Sequence, residues 1–208
     1  MTSPSVGRRE RKNARTRVAL ADAALRLFLE RGYDAVSVKE IADAVDISVP
    51  TVFNHVPDGK EALIFDDGTE RRESLLAAVR ERRAGQSVMA ALREFMSGRG
   101  PFVAEPNAEF RRHAELIMTT PALRDYSRKL WIRCEEPLAA AIAGEIGRPP
   151  DDLTARAVAR YVLEIPQFVG DEANPLDALN AVFDLLEYGL NTAAALRTPP
   201  APTAARSS

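Results

Sequence analysis

Apolar residues recur at steps of three and four along almost the whole chain, and no stretch alternates over the length that a strand needs. This periodicity predicts an all-α fold. A first helix is expected from about Asn13, with Val18, Ala21, Leu25 and Phe28 on its inner face and Gly32 as a left-handed cap. A second is expected over 38–45, because Ser37 and Glu40 form a capping box and Val36 and Ile41 stand at the hydrophobic-staple positions. Asp46 tolerates the left-handed backbone of a tight turn, Ile47 points inward, and Ser48 starts a third helix with Pro50 in its first turn. Pro57 stops that helix.

Asp58 and Glu61 form a further capping-box pattern, which predicts a long helix over 59–83. Glycine and proline punctuation then divides the chain into helices near 86–97, 106–118, 121–147, 152–169 and 175–196. Pro166 is expected to kink or end the fourth of these. In the fifth, Leu176, Leu179, Phe183, Leu186 and Leu190 make a stripe wide enough for contacts within a subunit, between subunits, or both.

Three helices in about 45 residues, the second and third joined by a short turn, form a helix-turn-helix pattern whose third helix can enter a major groove of DNA. Spacing then sorts the third helix. Val52 and Val56 face the first two helices, while Val49, Pro50, Phe53 and Asn54 share the other side. An outward Val-Pro-Phe-Asn surface suits base edges and thymine methyls, with Asn54 offering the donor and acceptor that adenine requires. Ser48, Thr51 and His55 suit phosphates, which position a protein without reading sequence.

Charge strengthens this picture. The chain carries a net −2, yet residues 1–17 hold six basic residues and one acid, a surplus of five, leaving −7 for the rest. A basic arm preceding an acidic body supplies a local attraction to DNA without making the whole chain nucleic-acid-like. The 208 residues include a single cysteine, Cys134, and two histidines, a supply too small for a disulfide or a zinc cluster; no metal and no cofactor are expected. The start of the chain has no apolar signal segment and the longest apolar run, Leu138 to Ala143, is far short of a bilayer span, so a cytoplasmic protein without membrane contact is expected. Catalysis has no support from a phosphate-cradling glycine loop, an HExxH pair or a nucleophile elbow, and the expectation is that the protein is not an enzyme.

The stretch "RVALADAALRLFLERGYDAVSVKEIADAVDISVPTVFNHV…GKEAL" resembles the N-terminal signature of the TetR family of transcriptional regulators. Ala24, Phe28, Gly32, Tyr33, Val38, Ile41, Ala42, Ser48, Thr51, Phe53 and Lys60 follow its spacing over residues 11–64. The resemblance implies a homodimer with an N-terminal DNA-binding domain and a larger C-terminal domain for a small effector and for dimerisation. By that analogy Thr16, Ser37, Lys39, Thr51, Phe53, His55 and Lys60 match positions at or beside the DNA backbone, and Val49, Pro50 and Asn54 match the groove-facing surface. Arg17, Val38 and Ser48 complete the candidate DNA-binding set. Asp46, Val56 and Phe53 depart from the residues usual at those places, and "VPDGKE" is one residue longer than the usual link.

The expected organisation is a disordered basic arm at 1–10, a DNA-binding domain at 11–64, an effector-binding and dimerisation domain at 65–197 and a disordered tail at 198–208. Within the larger domain Phe110, His113, Ile117, Trp131, Cys134 and Tyr161 place polar or aromatic groups on apolar faces, as a ligand cavity requires. The partners implied are an operator in double-stranded DNA, a small apolar or amphipathic effector and a second copy of the chain, and the expected action is repression. An alternative reading is a helical protein-interaction or small-molecule carrier domain, with Phe53 as the anchor for a partner.

Overall fold

The structure, a computed structural model, describes residues 7–188, which form ten α-helices and two short 3₁₀ turns with no strand among them. The helices are α1 (Arg8–Arg31), α2 (Val38–Ala44), α3 (Val49–His55), α4 (Thr69–Arg80), α5 (Val88–Ser97), α6 (Ala108–Thr119), α7 (Pro121–Ile132), α8 (Glu135–Glu145), α9 (Leu153–Val169) and α10 (Pro175–Tyr188). Leu190, residues 1–6 of the expected arm and the expected tail lie outside the described residues. Among the described residues no helix is long and apolar enough to cross a membrane.

α1 starts at Arg8, so residues 8–10, expected in a disordered arm, are helical. Its buried stripe is Leu20, Ala24 and Phe28, and Val18, expected inside, is 60% exposed. The register is set by Phe28, which packs on Tyr33 with ring centroids 5.2 Å apart. α2 is capped as expected. The Ser37 hydroxyl accepts from the Glu40 N–H at 3.2 Å, and the Glu40 carboxylate accepts from the Ser37 N–H at 2.8 Å. Arg31 adds an ion pair to Glu40 at 2.7 Å.

The long helix expected over 59–83 is broken. Residues Glu61–Ile64 form a 3₁₀ turn, and α4 begins only after Gly68, whose φ of 80° lies in the left-handed region that favours glycine. Asp58 and Glu61 do not cap a helix because both are drawn elsewhere: Glu61 accepts from the Tyr33 hydroxyl at 2.6 Å and Asp58 from the Tyr126 hydroxyl at 3.1 Å. Asp66 and Asp67 take over at the new start, accepting from the Gly68 and Thr69 N–H groups at 3.0 and 2.9 Å. The helix expected over 121–147 is likewise divided, into α7 and α8. Pro137 has no N–H and its ring would collide with the Arg133 carbonyl of a continuous helix, so the chain turns there. Pro166, by contrast, does not end α9, which runs on to Val169.

Two apolar clusters organise the molecule. One joins α1, α2, α3 and the 3₁₀ turn around Phe28, Ile41, Val52, Val56 and Leu63, and takes in Leu123 from α7. The other fills the space among α4, α5, α8, α9 and α10, with Leu138, Val162, Ile165, Leu179 and Phe183 fully buried. Leu176 and Leu186 of the α10 stripe pack against this second cluster, so that stripe serves the interior of its own subunit.

Lys60 fastens the 3₁₀ turn to the first cluster. Its ammonium donates to the Tyr33 and Val36 carbonyls, both at 2.8 Å, and lies 3.8 Å from the Tyr33 ring centroid. Burial pushes its pKa down, which marks a charge held away from water and stabilised by local acceptors. Lys60→Met leaves both carbonyls without this donor and is expected to cost about 2 kcal/mol, read from the midpoint of urea unfolding. Glu40 gives a second test. The Ser37 N–H, and then Arg31, hold its pKa at about 2 against an ordinary 4.5. Its stabilising contribution is therefore complete above pH 4.5 and disappears as pH falls through 2. Glu40→Gln should unfold at a lower temperature than the parent at pH 7, and the gap should close across that acidic window.

Candidate nucleic-acid interface

The turn before α3 is built by the backbone. The Val45 and Asp46 N–H groups bond the Ala42 and Asp43 carbonyls at 3.2 and 3.3 Å, the Ile47 N–H returns to Ala42 at 3.1 Å, and Asp46 takes φ 55°. An aspartate accepts that left-handed geometry at modest cost. Ser48 then caps α3: its side chain accepts from the Thr51 N–H at 3.4 Å, and its hydroxyl lies 2.8 Å from that of Thr51. Pro50 follows in the first turn, where a missing N–H leaves no bond unmade.

This start rotates α3 so that Val52 and Val56 are buried, while Pro50, Phe53 and Asn54 stand on the solvent side. Phe53 is 45% exposed, a large cost for an aromatic ring unless something covers it. Val49 differs from expectation: it is half-buried and packs against the N-terminal cluster, because the first turn of α3 lies close to the turn it leaves. Val38 and Thr51 are half-buried too.

Several expected phosphate contacts have local partners. Lys60 is directed inward onto the Tyr33 and Val36 carbonyls, and its expected place at the DNA backbone is corrected accordingly. The Ser37 hydroxyl gives its hydrogen to Glu40 at 2.8 Å and serves as a cap. Thr16 donates to the Lys12 carbonyl at 3.1 Å along α1. Lys39 pairs with Asp43 at 2.7 Å on an exposed surface, where such a pair opens readily. Arg17 and His55 line one depression with Pro57 and Asp58, so α1 and the end of α3 contribute to a common surface.

The second site of interest lies at the junction of the two clusters. A cavity of about 340 Å³ is bounded by Ile64 and Phe65 from the connection, Arg71 from α4, Arg99 after α5, α6 and α7. Phe110, His113, Ile117 and Trp131 line it, bringing together four of the six expected ligand residues. The other two are elsewhere. Cys134 is buried in the C-terminal cluster, its thiol directed at the Leu130 carbonyl 3.7 Å away and its pKa raised by burial. Tyr161 stands on the outer face of α9, 57% exposed, because Val162 and Ile165 turn the opposite side inward.

Arg71 and Arg99 were missing from the expected lining. A signal existed: Arg71 precedes Leu75 and Val79 at four-residue steps, and Arg99 follows Phe95 by four, so both arginines continue a buried stripe. The outer face of α9 also went unread. It exposes Leu153 and Phe168 at 77% and 65% beside Tyr161, a run of large apolar groups on one side of the helix.

Comparison with known proteins agrees with this arrangement. The profile of the bacterial regulatory proteins of the tetR family matches residues 20–66, and that of the MftR C-terminal domain matches residues 86–191. MftR of Mycobacterium tuberculosis, assigned to the transcriptional regulation of mycofactocin biosynthesis, is 26% identical over 194 residues, spanning 90% of this chain and 98% of its own length. The HTH-type transcriptional regulator TcmR of Streptomyces glaucescens is 38% identical over 86 residues, which are 41% of this chain and 38% of TcmR. Among solved structures, GusR of Salmonella enterica superposes with a TM-score of 0.54 at 24% identity, over 85% of this chain and 96% of GusR. NalD of Pseudomonas aeruginosa, the secondary repressor of the MexAB-OprM multidrug efflux pump, gives 0.51 at 18% identity, over 85% and 97%. These two likenesses concern the fold. With one profile on its helix-turn-helix and the other on half of its length, the chain belongs to the tetR family of bacterial regulatory proteins and is a transcriptional regulator with a C-terminal domain of the MftR type.

Proposed function

We propose that this regulator is a homodimeric repressor that reads its operator with α3 and leaves it when a small effector occupies the cavity beside α6 and α7. The observation that carries the reading is the outward face of α3, where Pro50, Phe53 and Asn54 stand free of the core that buries Val52 and Val56. Asn54 and Pro50 are assigned to base edges, and Val49 to the margin of that surface. Thr16, Arg17, Lys39, Thr51 and His55 are assigned to the phosphates that flank it. Ser37, Val38 and Ser48 orient these elements, and Lys60 holds the domain together. The DNA-binding domain is taken as residues 11–64 and the effector-binding and dimerisation domain as 65–197.

A twofold dimer presents two recognition helices about 34 Å apart, one turn of DNA. The apolar outer face of α9, with Leu153, Tyr161 and Phe168, supports a place for the partner subunit, since burying such groups is worth about 25 cal/mol per Å². Effector binding represses or releases only through a difference in affinity between the two spacings of the helices. The cavity abuts Phe65 and Asp66, which join the DNA-binding helices to α4, and so lies where occupancy can alter that spacing.

Operator sequences selected from a random DNA library provide the test. Asn54→Ala should weaken specific binding by about 5- to 160-fold, the roughly 1–3 kcal/mol of a lost base contact, and leave non-specific binding unchanged. Equal losses on specific and random DNA would sink the assignment. Arg17→Ala should instead reduce the slope of log affinity against log salt by about one. For the dimer, the double substitution Tyr161→Glu and Phe168→Glu should yield a folded monomer in sedimentation equilibrium and a loss of operator affinity. Retention of the dimer would place the interface elsewhere.

A further inference from the structure

We infer that the cavity receives a small amphipathic carboxylate, its anionic head between Arg71 and Arg99 and its apolar body against Phe110, Ile117 and Trp131. Two observations carry this. First, among the described residues the only buried side-chain nitrogen or oxygen atoms without a hydrogen-bond partner are Arg71 Nη1 and His113 Nε2, and both residues line this cavity. Buried polar atoms are nearly always partnered, so two orphans at one site indicate a guest that supplies acceptors. Second, the cavity holds two guanidinium groups with Asp66 and the exposed Glu70 beside them, and of the two only Arg71 makes an ion pair among the described residues. Arg71 pairs with Asp66 through Nη2 at 3.0 Å. Arg99 has no ion pair among the described residues: its Nη1 donates to the Phe95 carbonyl at 3.1 Å and its guanidinium lies 3.6 Å from the Phe95 ring centroid.

The charge balance selects among ligands. Burial and the nearby Arg71 both lower the pKa of Arg99, with Glu70 at the exposed rim opposing them. A cation entering here would add to two arginines. A neutral polar group would satisfy hydrogen bonds but leave Arg99 without an ion pair. A carboxylate answers both needs, since its planar pair of oxygens matches the guanidinium fork. His113 completes the head-group site: burial lowers its pKa against the opposing influence of Glu109, which favours the neutral imidazole, and a neutral ring protonated at Nε2 donates to a ligand oxygen. Phe110, Ile117 and Trp131 supply the apolar wall, with Arg71 5.2 Å from the Trp131 ring centroid, and Ile117, Trp131 and Arg99 also bound a smaller adjoining recess. That fixes the guest as a short acid with an aliphatic or aromatic tail, of a size that about 340 Å³ accommodates.

An anion on Arg71 also competes with Asp66 for the same guanidinium. Asp66 lies in the connection between the 3₁₀ turn and α4, so a bound carboxylate loosens the segment that joins the DNA-binding helices to the rest. This consequence rests on the reading of the protein as a ligand-released repressor; the binding itself does not.

Trp131 is the single tryptophan of the chain and lines the cavity, which makes its fluorescence the direct readout. Octanoate and 3-phenylpropionate are titrated into the full chain, each beside its neutral amide. The acids should bind at least about tenfold more tightly than the amides, the discrimination expected of a charge-assisted pair over a neutral one. Arg99→Gln and Arg71→Gln should each erase most of that preference while retaining the helical signal in circular dichroism. Equal binding of acid and amide, no response to either acid, or an unaltered preference in folded arginine variants would overturn the inference. Should the variants fail to fold, the acid-to-amide comparison on the parent chain still decides it. Selected operator DNA is titrated in parallel. Intact operator binding with no acid preference refutes this inference alone, whereas an acid preference without operator binding refutes the repressor reading alone.

Discussion

A helix of seven residues such as α3 has almost no stability of its own, so its place in the molecule depends on the burial of Val52 and Val56 against Phe28, Ile41 and Leu63. Those two side chains, four residues apart, also determine what remains outside. Once they are inward, Phe53 and Asn54 have nowhere to go but the surface. The Ser48 cap and the left-handed Asp46 set the rotation at which this happens, and the capping box of α2 holds the preceding helix against the same core. A small apolar cluster therefore governs the orientation of the outward surface of Pro50, Phe53 and Asn54.

The N-terminal part of this arrangement was legible because each signal is local. A serine three residues before a glutamate, an aspartate at a turn, and a proline after a serine report on bonds made within one turn of helix. What was lost there involved distance. Lys60 reads as a surface cation until Tyr33 and Val36, more than twenty positions earlier, bring their carbonyls to it. The pair Asp58 and Glu61 has capping-box spacing, yet two tyrosine hydroxyls from other parts of the chain claim both carboxylates. Tertiary partners outcompeted a local motif.

The C-terminal part was less legible for a related reason. Amphipathic spacing identifies one buried face of a helix but is silent about a second, and α9 has both an inner face at Val162 and Ile165 and an apolar outer face at Tyr161 and Phe168. The cavity also draws its lining from five separate stretches, of which only the aromatic and histidine contributions stand out by type. An arginine on a buried stripe is ordinarily read as a charge that reaches solvent by its length. Arg71 and Arg99, both half-buried, instead lie over aromatic rings, Trp131 and Phe95.

Helix α7 spans the seam between the two clusters. Leu123, near its start, is sealed in the N-terminal core, Tyr126 packs on Phe65 with ring centroids 5.4 Å apart, and Trp131, near its end, forms a wall of the cavity. Leu123 and Trp131 are eight residues apart, about 12 Å along the axis, and a helix of that length bends far less readily than it tilts. One short rod thus joins an indole in the cavity wall to a leucine sealed in the hydrophobic base on which the first three helices rest.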